Sequence, residues 1–238
     1  MTQRQICISC LKSLISILLI LAVVPAQAQR RKTVEEPDST PLFNGVQIMA
    51  DLVGPIQMAV SDYGQWEVAA RVNLKDKYFP VIELGYGKAN HDEEASSTAY
   101  KTKAPYGRIG CDFNVLKNKH RPYRAFVGLR YAYTSFKTDV ERAVVTDPVW
   151  KTQSHFLVTG NKCYYHWLEL TAGIDAKVYG PIHLGWSVRY KRRIKADEGL
   201  VGNAWYVPGF GISNKSRLGG TFNIIIDLLW KNKAGKKE

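Results

Sequence analysis

This chain has little that would hold it in a membrane by helices. Its longest apolar run, Leu14 to Val24, is eleven residues, against the roughly 20 that a spanning helix needs. A helical anchor is excluded, so any insertion must be by strands closed into a barrel. Cysteine is scarce as well. Of four cysteines, Cys7 and Cys10 have redox or metal spacing but precede that apolar run. Neither follows the run, where a lipoprotein carries its lipid. Cys111 falls inside one predicted strand and Cys163 just before another that is not its neighbour, which argues against a disulfide. Both read as small apolar fillers. The histidines show no metal-ligand spacing, so neither a metal nor a cofactor is expected. Basic residues outnumber acidic ones 33 to 21, yet no recognition module accompanies them, and nucleic acid is not expected as a partner.

What the chain does have begins with a leader. Arg4 and Lys12 precede the apolar run, and Ala26-Gln27-Ala28 follows it. These are the basic, apolar and small-x-small parts of a secretory signal over residues 1–28. Cleavage leaves 210 residues (238 minus 28) with net charge +10 (+12 minus the two bases removed), a size for one domain. Residues 29–43, polar around Pro37, read as a flexible periplasmic linker. Residues 44–231 read as the folded domain and 232–238 as a basic tail.

The domain alternates apolar and polar residues in eight stretches. In the last, Leu218, Gly220, Phe222, Ile224, Ile226, Leu228 and Trp230 share one face, while Arg217, Thr221, Asn223 and Asp227 share the other. Successive side chains of a strand point to opposite sides, so this is a ribbon with one apolar face. The predicted strands are 44–54, 66–74, 78–88, 105–116, 123–136, 164–178, 182–194 and 216–230. Short connections (75–77, 117–122, 179–181) alternate with long ones (55–65, 89–104, 137–163, 195–215). Short periplasmic turns and long external loops are the pattern of an outer-membrane barrel. The expected fold is all-β, an eight-stranded antiparallel up-and-down transmembrane barrel with both termini in the periplasm.

The two faces differ in chemistry. No charge interrupts the apolar face in mid-strand, where one facing lipid would cost ~2–4 kcal/mol. Aromatic residues gather at its ends. Tyr78, Tyr123 and Trp230 lie at the periplasmic rim; Trp66, Tyr86, Tyr133, Tyr164 and Tyr190 lie at the external one. Amphipathic rings favour such boundaries. The opposite face carries Asp51, Glu67, Glu83, Asp112, Glu169, Asp175 and Asp227 against Arg71, Arg108, Arg130, Lys177, Arg189 and Lys191. Side chains fill the interior of an eight-stranded barrel, and charges there must pair. A closed salt-bridge plug is expected, with Gly85, Gly110, Gly128, Gly173, Gly185 and Gly219 leaving room for arginines. His183 also points inward, as a hydrogen-bonded packing residue.

Several segments carry a family resemblance: Pro41–Gly45, Tyr78–Gly87, Gly128–Tyr131, Thr146–Trp150, Gly185–Lys191 and Trp205–Gly211. Together they resemble a family of uncharacterised outer-membrane barrel proteins from Bacteroides and its relatives, of unknown function. The resemblance covers nearly all of the mature chain. It implies an outer-membrane address in a Gram-negative cell and an eight-stranded barrel, and no activity or catalytic residue.

Function is less legible. The leading expectation is a non-enzymatic structural or surface-interaction barrel. Its partners would be outer-membrane lipid and lipopolysaccharide, with an extracellular ligand or protein met through loops 137–163 and 195–215, where Trp150, Trp205, Tyr206 and Phe210 lie. Tyr190 edges a basic run, Lys191, Arg192, Arg193 and Lys195, which is a candidate lipopolysaccharide contact because arginine suits phosphate. Two alternatives stand beside it. A lipid-modifying enzyme would use Asp147, Ser154 and His155, provided folding brings them within hydrogen-bond reach. A soluble calycin-like barrel would bind a ligand inside and needs an apolar interior. Pro80, near a strand start, is tolerated there by position.

Overall fold

In the computed structural model, the described residues are 41–93, 97–118, 121–146, 149–150, 153–202 and 204–228. The chain divides into two units, Met1–Ser39 and Thr40–Glu238, and the barrel belongs to the second. The predicted signal and basic tail, and Asp147 and Trp230, lie outside the described residues.

Eight long strands close into one antiparallel barrel: β1 (Phe43–Asp51), β2 (Tyr63–Leu74), β3 (Tyr78–Glu93), β4 (Thr98–Asn114), β5 (Tyr123–Thr146), β6 (Gln153–Tyr179), β7 (Ile182–Asp197) and β10 (Ser216–Asp227). A short helix, α1 (Val53–Val60), joins β1 to β2. Two-residue strands β8 (Tyr206–Val207) and β9 (Gly211–Ile212) pair with each other between β7 and β10. Each long strand pairs with its chain neighbours, and β10 closes the ring against β1. That seam is short. It comprises five residue pairs, from Gln47↔Asp227 to Asp51↔Asn223. Among the described residues no helix is long and apolar enough to cross a membrane.

Side chains alternate as the sequence pattern requires. On β3, Phe79, Val81, Glu83 and Gly85 are buried, while Tyr78, Pro80, Ile82 and Leu84 between them are exposed. The short connections are tight. Lys75 and Asp76 both take left-handed φ, 54° and 53°, a conformation that short polar side chains tolerate best. The Asp76 carboxylate secures that turn by accepting from Asn44 Nδ2 (2.7 Å) and Asn73 Nδ2 (2.6 Å).

The long connections depart from expectation. Most of 89–104 and 137–163 is strand, so the β3–β4 and β5–β6 hairpins run on as extended arms. The β5–β6 ladder reaches from Tyr123↔Ala176 to Thr146↔Gln153. Backbone pairing continues there although the outward face turns polar.

The connection 55–65 contains most of α1, with Pro55 in its first turn, where a missing N–H costs no helical hydrogen bond. Asp51 explains where this helix starts. Its carboxylate accepts from the amides of Gly54 (2.8 Å) and Val53 (3.2 Å), and from Phe222 N on β10 (3.2 Å). Asp51 is therefore a cap and a clamp on β10, and among the described residues it makes no ion pair. Asp51→Ala frees helix-start donors and is expected to cost ~1–2 kcal/mol, the range of a lost cap, read as a lower midpoint in denaturant.

Candidate functional site

The inward faces of β2 to β7 build one ion-pair network. At the end nearest the extended arms Arg108 and Arg189 stand among three glutamates. Arg108 Nη1 pairs with Glu67 and with Glu83 (3.0 Å), and Arg108 Nε lies 2.9 Å from Glu169 Oε1. Arg189 Nη1 reaches Glu67 and Glu83, each at 2.9 Å. Arg130 then carries the network inward, with Nε on Glu83 (2.6 Å) and Nη2 on Asp112 (3.1 Å). Arg71 bridges Asp112 (3.4 Å) and Asp175 (2.7 Å), and Arg124 ends the series on Asp175 (2.7 Å). Five arginines meet five carboxylates, so the network is neutral. Every member is buried save Arg124, which is half-buried.

Backbone space matters as much as charge. A Cβ on Gly128 would come within 1.9 Å of Asp112 Oδ1, and one on Gly185 within 2.5 Å of Asp175 Oδ1. These glycines make room for carboxylates. Of the six glycines expected to leave room for arginines, Gly110, 2.7 Å from Arg130 Cγ by the same test, is the one that yields to an arginine.

At the arm end a strap, residues 204–212, turns back into the barrel. Val207 and Phe210 are fully buried and pack with Ala104, Tyr106, Phe136, Tyr165 and Trp167. Phe210 meets the Trp167 ring edge-on at 5.7 Å, and Trp167 Nε1 donates to Glu169 Oε1 (2.6 Å). The strap also satisfies the cation that the network leaves over. Lys191 Nζ donates to the carbonyls of Gly209 (2.7 Å) and Phe210 (3.3 Å), and Arg108 Nη2 to Gly209 (2.8 Å). Gly209 has φ 83°, and a Cβ there would lie 2.6 Å from the Tyr106 ring, so glycine is required twice over. Tyr206 donates to Gly64 O (3.2 Å), and burial pushes its phenol pKa up, keeping the proton in place. Beside it Trp205 stacks on His91 at 4.0 Å.

Several predicted assignments change. Lys191 points inward to the strap. Arg193 also turns in, with Nη1 on Glu198 (2.9 Å) and Tyr165 (3.4 Å), so neither faces a lipid headgroup. Arg192 and Lys195 are exposed. Lys177 is exposed at the end of β6 away from the arms, and Asp227 pairs there with His183 Nε2 (2.9 Å) and Gln47 Nε2 (2.5 Å), joined to the main network through Gln47 Oε1, which accepts from Arg71 (3.0 Å) and Arg124 (3.2 Å). The strap aromatics Tyr206 and Phe210 are interior packing. Trp66, Tyr78, Tyr123, Tyr133 and Tyr190 are exposed on the outer face, with Tyr86 and Tyr164 half-exposed. Cys111 and Cys163 are free thiols.

The network also includes residues that the sequence reading passed over. Arg124 shares strand parity with Arg130, and Tyr106, donor to Glu67 (2.9 Å), shares it with Arg108; that parity was the available signal. For the enzyme reading, Ser154 lies in β6 opposite Val145. His155 is exposed, 3.7 Å from Glu141. Among the described residues no three side chains of metal-ligand type gather to hold an ion.

The class defined so far is a closed eight-stranded antiparallel barrel, apolar outside and charged within. The chain belongs to the family described as domain of unknown function DUF6048, whose model matches residues 10–229. No curated protein matches it. Among solved structures, it is similar to Neisserial surface protein A, with 11% identity over 78% of this chain and 99% of that one, at a TM-score of 0.45. It is also similar to Ail, the attachment invasion locus protein of Yersinia pestis, with 9% identity over 77% and 98% and a TM-score of 0.40. A third is the N-terminal β-barrel domain of Pseudomonas aeruginosa OprF, with 11% identity over 78% and 98% and a TM-score of 0.33.

Proposed function

We propose that this chain is a non-enzymatic outer-membrane barrel with a closed lumen, serving a structural or surface-interaction role through its external arms. One observation carries the reading. The outward face of the barrel is an exposed apolar belt that includes Leu84, Ile109, Leu129, Leu170, Trp186, Val188 and Leu218. A soluble monomer rarely exposes a contiguous apolar patch beyond a few hundred Å², whereas lipid accepts such a belt. Aromatic residues at both rims of the belt support the same address.

The neutral network and the strap support closure of the lumen. A soluble ligand-binding barrel needs the reverse arrangement, polar outside and apolar within. The short turns lie at the end where β1 begins, which supports periplasmic termini and external arms.

Two measurements test this. An epitope placed at Val149, at the tip of the β5–β6 arm, is expected to be reached by antibody on intact cells. One placed at Asn118 is expected to stay hidden, and the opposite result would invert the topology. In planar bilayers the purified protein is expected to give no stable conductance steps; steps from the unmodified chain would remove the closed-lumen reading.

A further inference from the structure

We propose that the outer surface of the β3–β6 arms, just beyond the aromatic belt, is a binding site for the phosphate groups of a lipid headgroup in the outer leaflet. The inference rests on the outer-membrane reading and names a partner for the barrel's outer surface. It starts from five lysines, Lys88, Lys101, Lys103, Lys137 and Lys162. All are exposed, and on β3, β4 and β5 the buried Ala89, Thr102, Ala104 and Phe136 alternate with them. The lysines therefore face away from the lumen. They line a surface concavity of about 920 Å³ whose lining includes a single acid, Asp139.

The register makes this arrangement costly without an anion. Lys88 lies directly opposite Lys103, and Lys137 directly opposite Lys162. Between them the β4–β5 register, Thr102↔Thr138 and Tyr106↔Thr134, sets Lys103 across from Lys137. Four lysines thus form one row across four adjacent strands. Like charges directly opposite are destabilising, and neighbouring strands are only about 4.8 Å apart. Among the described residues none of the four has a carboxylate partner; Asp139 lies across from Lys101 instead and accepts from Gly160 N (2.6 Å). A row of ammonium groups spanning roughly 14 Å, three strand spacings, is long enough for more than one phosphate.

Height favours a lipid as the source of that phosphate. Lys88 is two residues beyond Tyr86, Lys162 two beyond Tyr164, and Lys137 four beyond Tyr133. At about 3.4 Å per residue and the usual barrel tilt, the row stands roughly 5–10 Å outside the aromatic ring. That is the level of headgroups, not of acyl chains.

The test uses the full mature protein in nanodiscs of phosphatidylcholine, titrated with bisphosphorylated lipid A or with its dephosphorylated counterpart and read by native mass spectrometry. The parent is expected to retain the phosphorylated lipid in preference. Lys103→Gln with Lys137→Gln is expected to lose about tenfold or more of that preference, the order that two lysines near an anionic surface imply. Arg192→Gln with Lys195→Gln is expected to leave it within about twofold. Both pairs are exposed, so folding is preserved, and the first pair is expected to raise the unfolding midpoint in uncharged detergent by relieving repulsion. Equal retention of the two lipids by the parent overturns the proposal. So does displacement of the lipid by millimolar inorganic phosphate or by a soluble sulfated polysaccharide, since each would identify a different anion. A chain that stays in solution without detergent would instead remove the membrane reading beneath it.

Discussion

Arg130→Leu is expected to lower the stability of the barrel by ~3–5 kcal/mol, the usual cost of removing one partner from a buried ion pair. The loss does not fall evenly. Glu83 keeps Arg108 at 3.0 Å and Arg189 at 2.9 Å, whereas Asp112 keeps only Arg71, at 3.4 Å. Most of the penalty therefore lands on Asp112, a fully buried carboxylate packed against Gly128. Asp112→Asn placed on top of Arg130→Leu is accordingly expected to recover part of the loss, a coupling that a double-mutant cycle measures. Arg130→Lys keeps the charge but not the two-pronged reach, and is expected to fall between. Unfolding in detergent followed by circular dichroism checks all three. Parent-like stability in Arg130→Leu would mean that the network contributes little to holding the barrel together.

Phe210→Ala is expected to release the strap. Truncating a fully buried phenylalanine costs ~3–5 kcal/mol, and here the ring is the strap's main anchor, set edge-on to Trp167. The strand ladder does not depend on it. The expected result is a nick by added protease within 199–215 while the remaining barrel resists, with little change in global unfolding. Unchanged protection of that segment would show that the strap's hydrogen bonds to Lys191, Arg108 and Gly64, with buried Val207, hold it without the ring.

The sequence announces the barrel wherever lipid would demand it. An uninterrupted apolar face leaves a clean period of two, and Leu218 to Ile226 or Leu168 to Ile174 can be read directly. Legibility ends where that demand ends. Beyond Tyr86 the outward residue is Lys88, and beyond Tyr133 come Ser135 and Lys137; the outward face becomes polar, threonines such as Thr134 and Thr138 mix with Phe136 and Val140 on the inward one, and the period fades. The hydrogen-bond ladder continues regardless, because backbone pairing does not depend on which side chains flank it. The strap fails to declare itself for a different reason. Trp205, Tyr206 and Phe210 have the composition of a contact surface, and composition does not say whether that surface faces outward or folds home. For the lumen, parity along each strand nominated most of the network. It could not tell that Asp51, at the last residue of β1, would find unpaired amides in α1 before it found an arginine.

The five-pair seam between β1 and β10 has a consequence for assembly. Each other ladder joins a strand to its neighbour in the chain, but this one joins Gln47 to Asp227, 180 residues away. Contacts that close the longest loops are the slowest to form, although the entropic cost of closing grows only with the logarithm of length. The hairpins therefore come first and the chain's two ends meet last. Until they do, both edges present unpaired N–H and C=O groups, which the interior of a bilayer does not tolerate. On the proposed membrane reading, the sheet has to be sheltered or nearly curled shut before it enters lipid. Its first and last strands act as a clasp whose shutting completes the barrel.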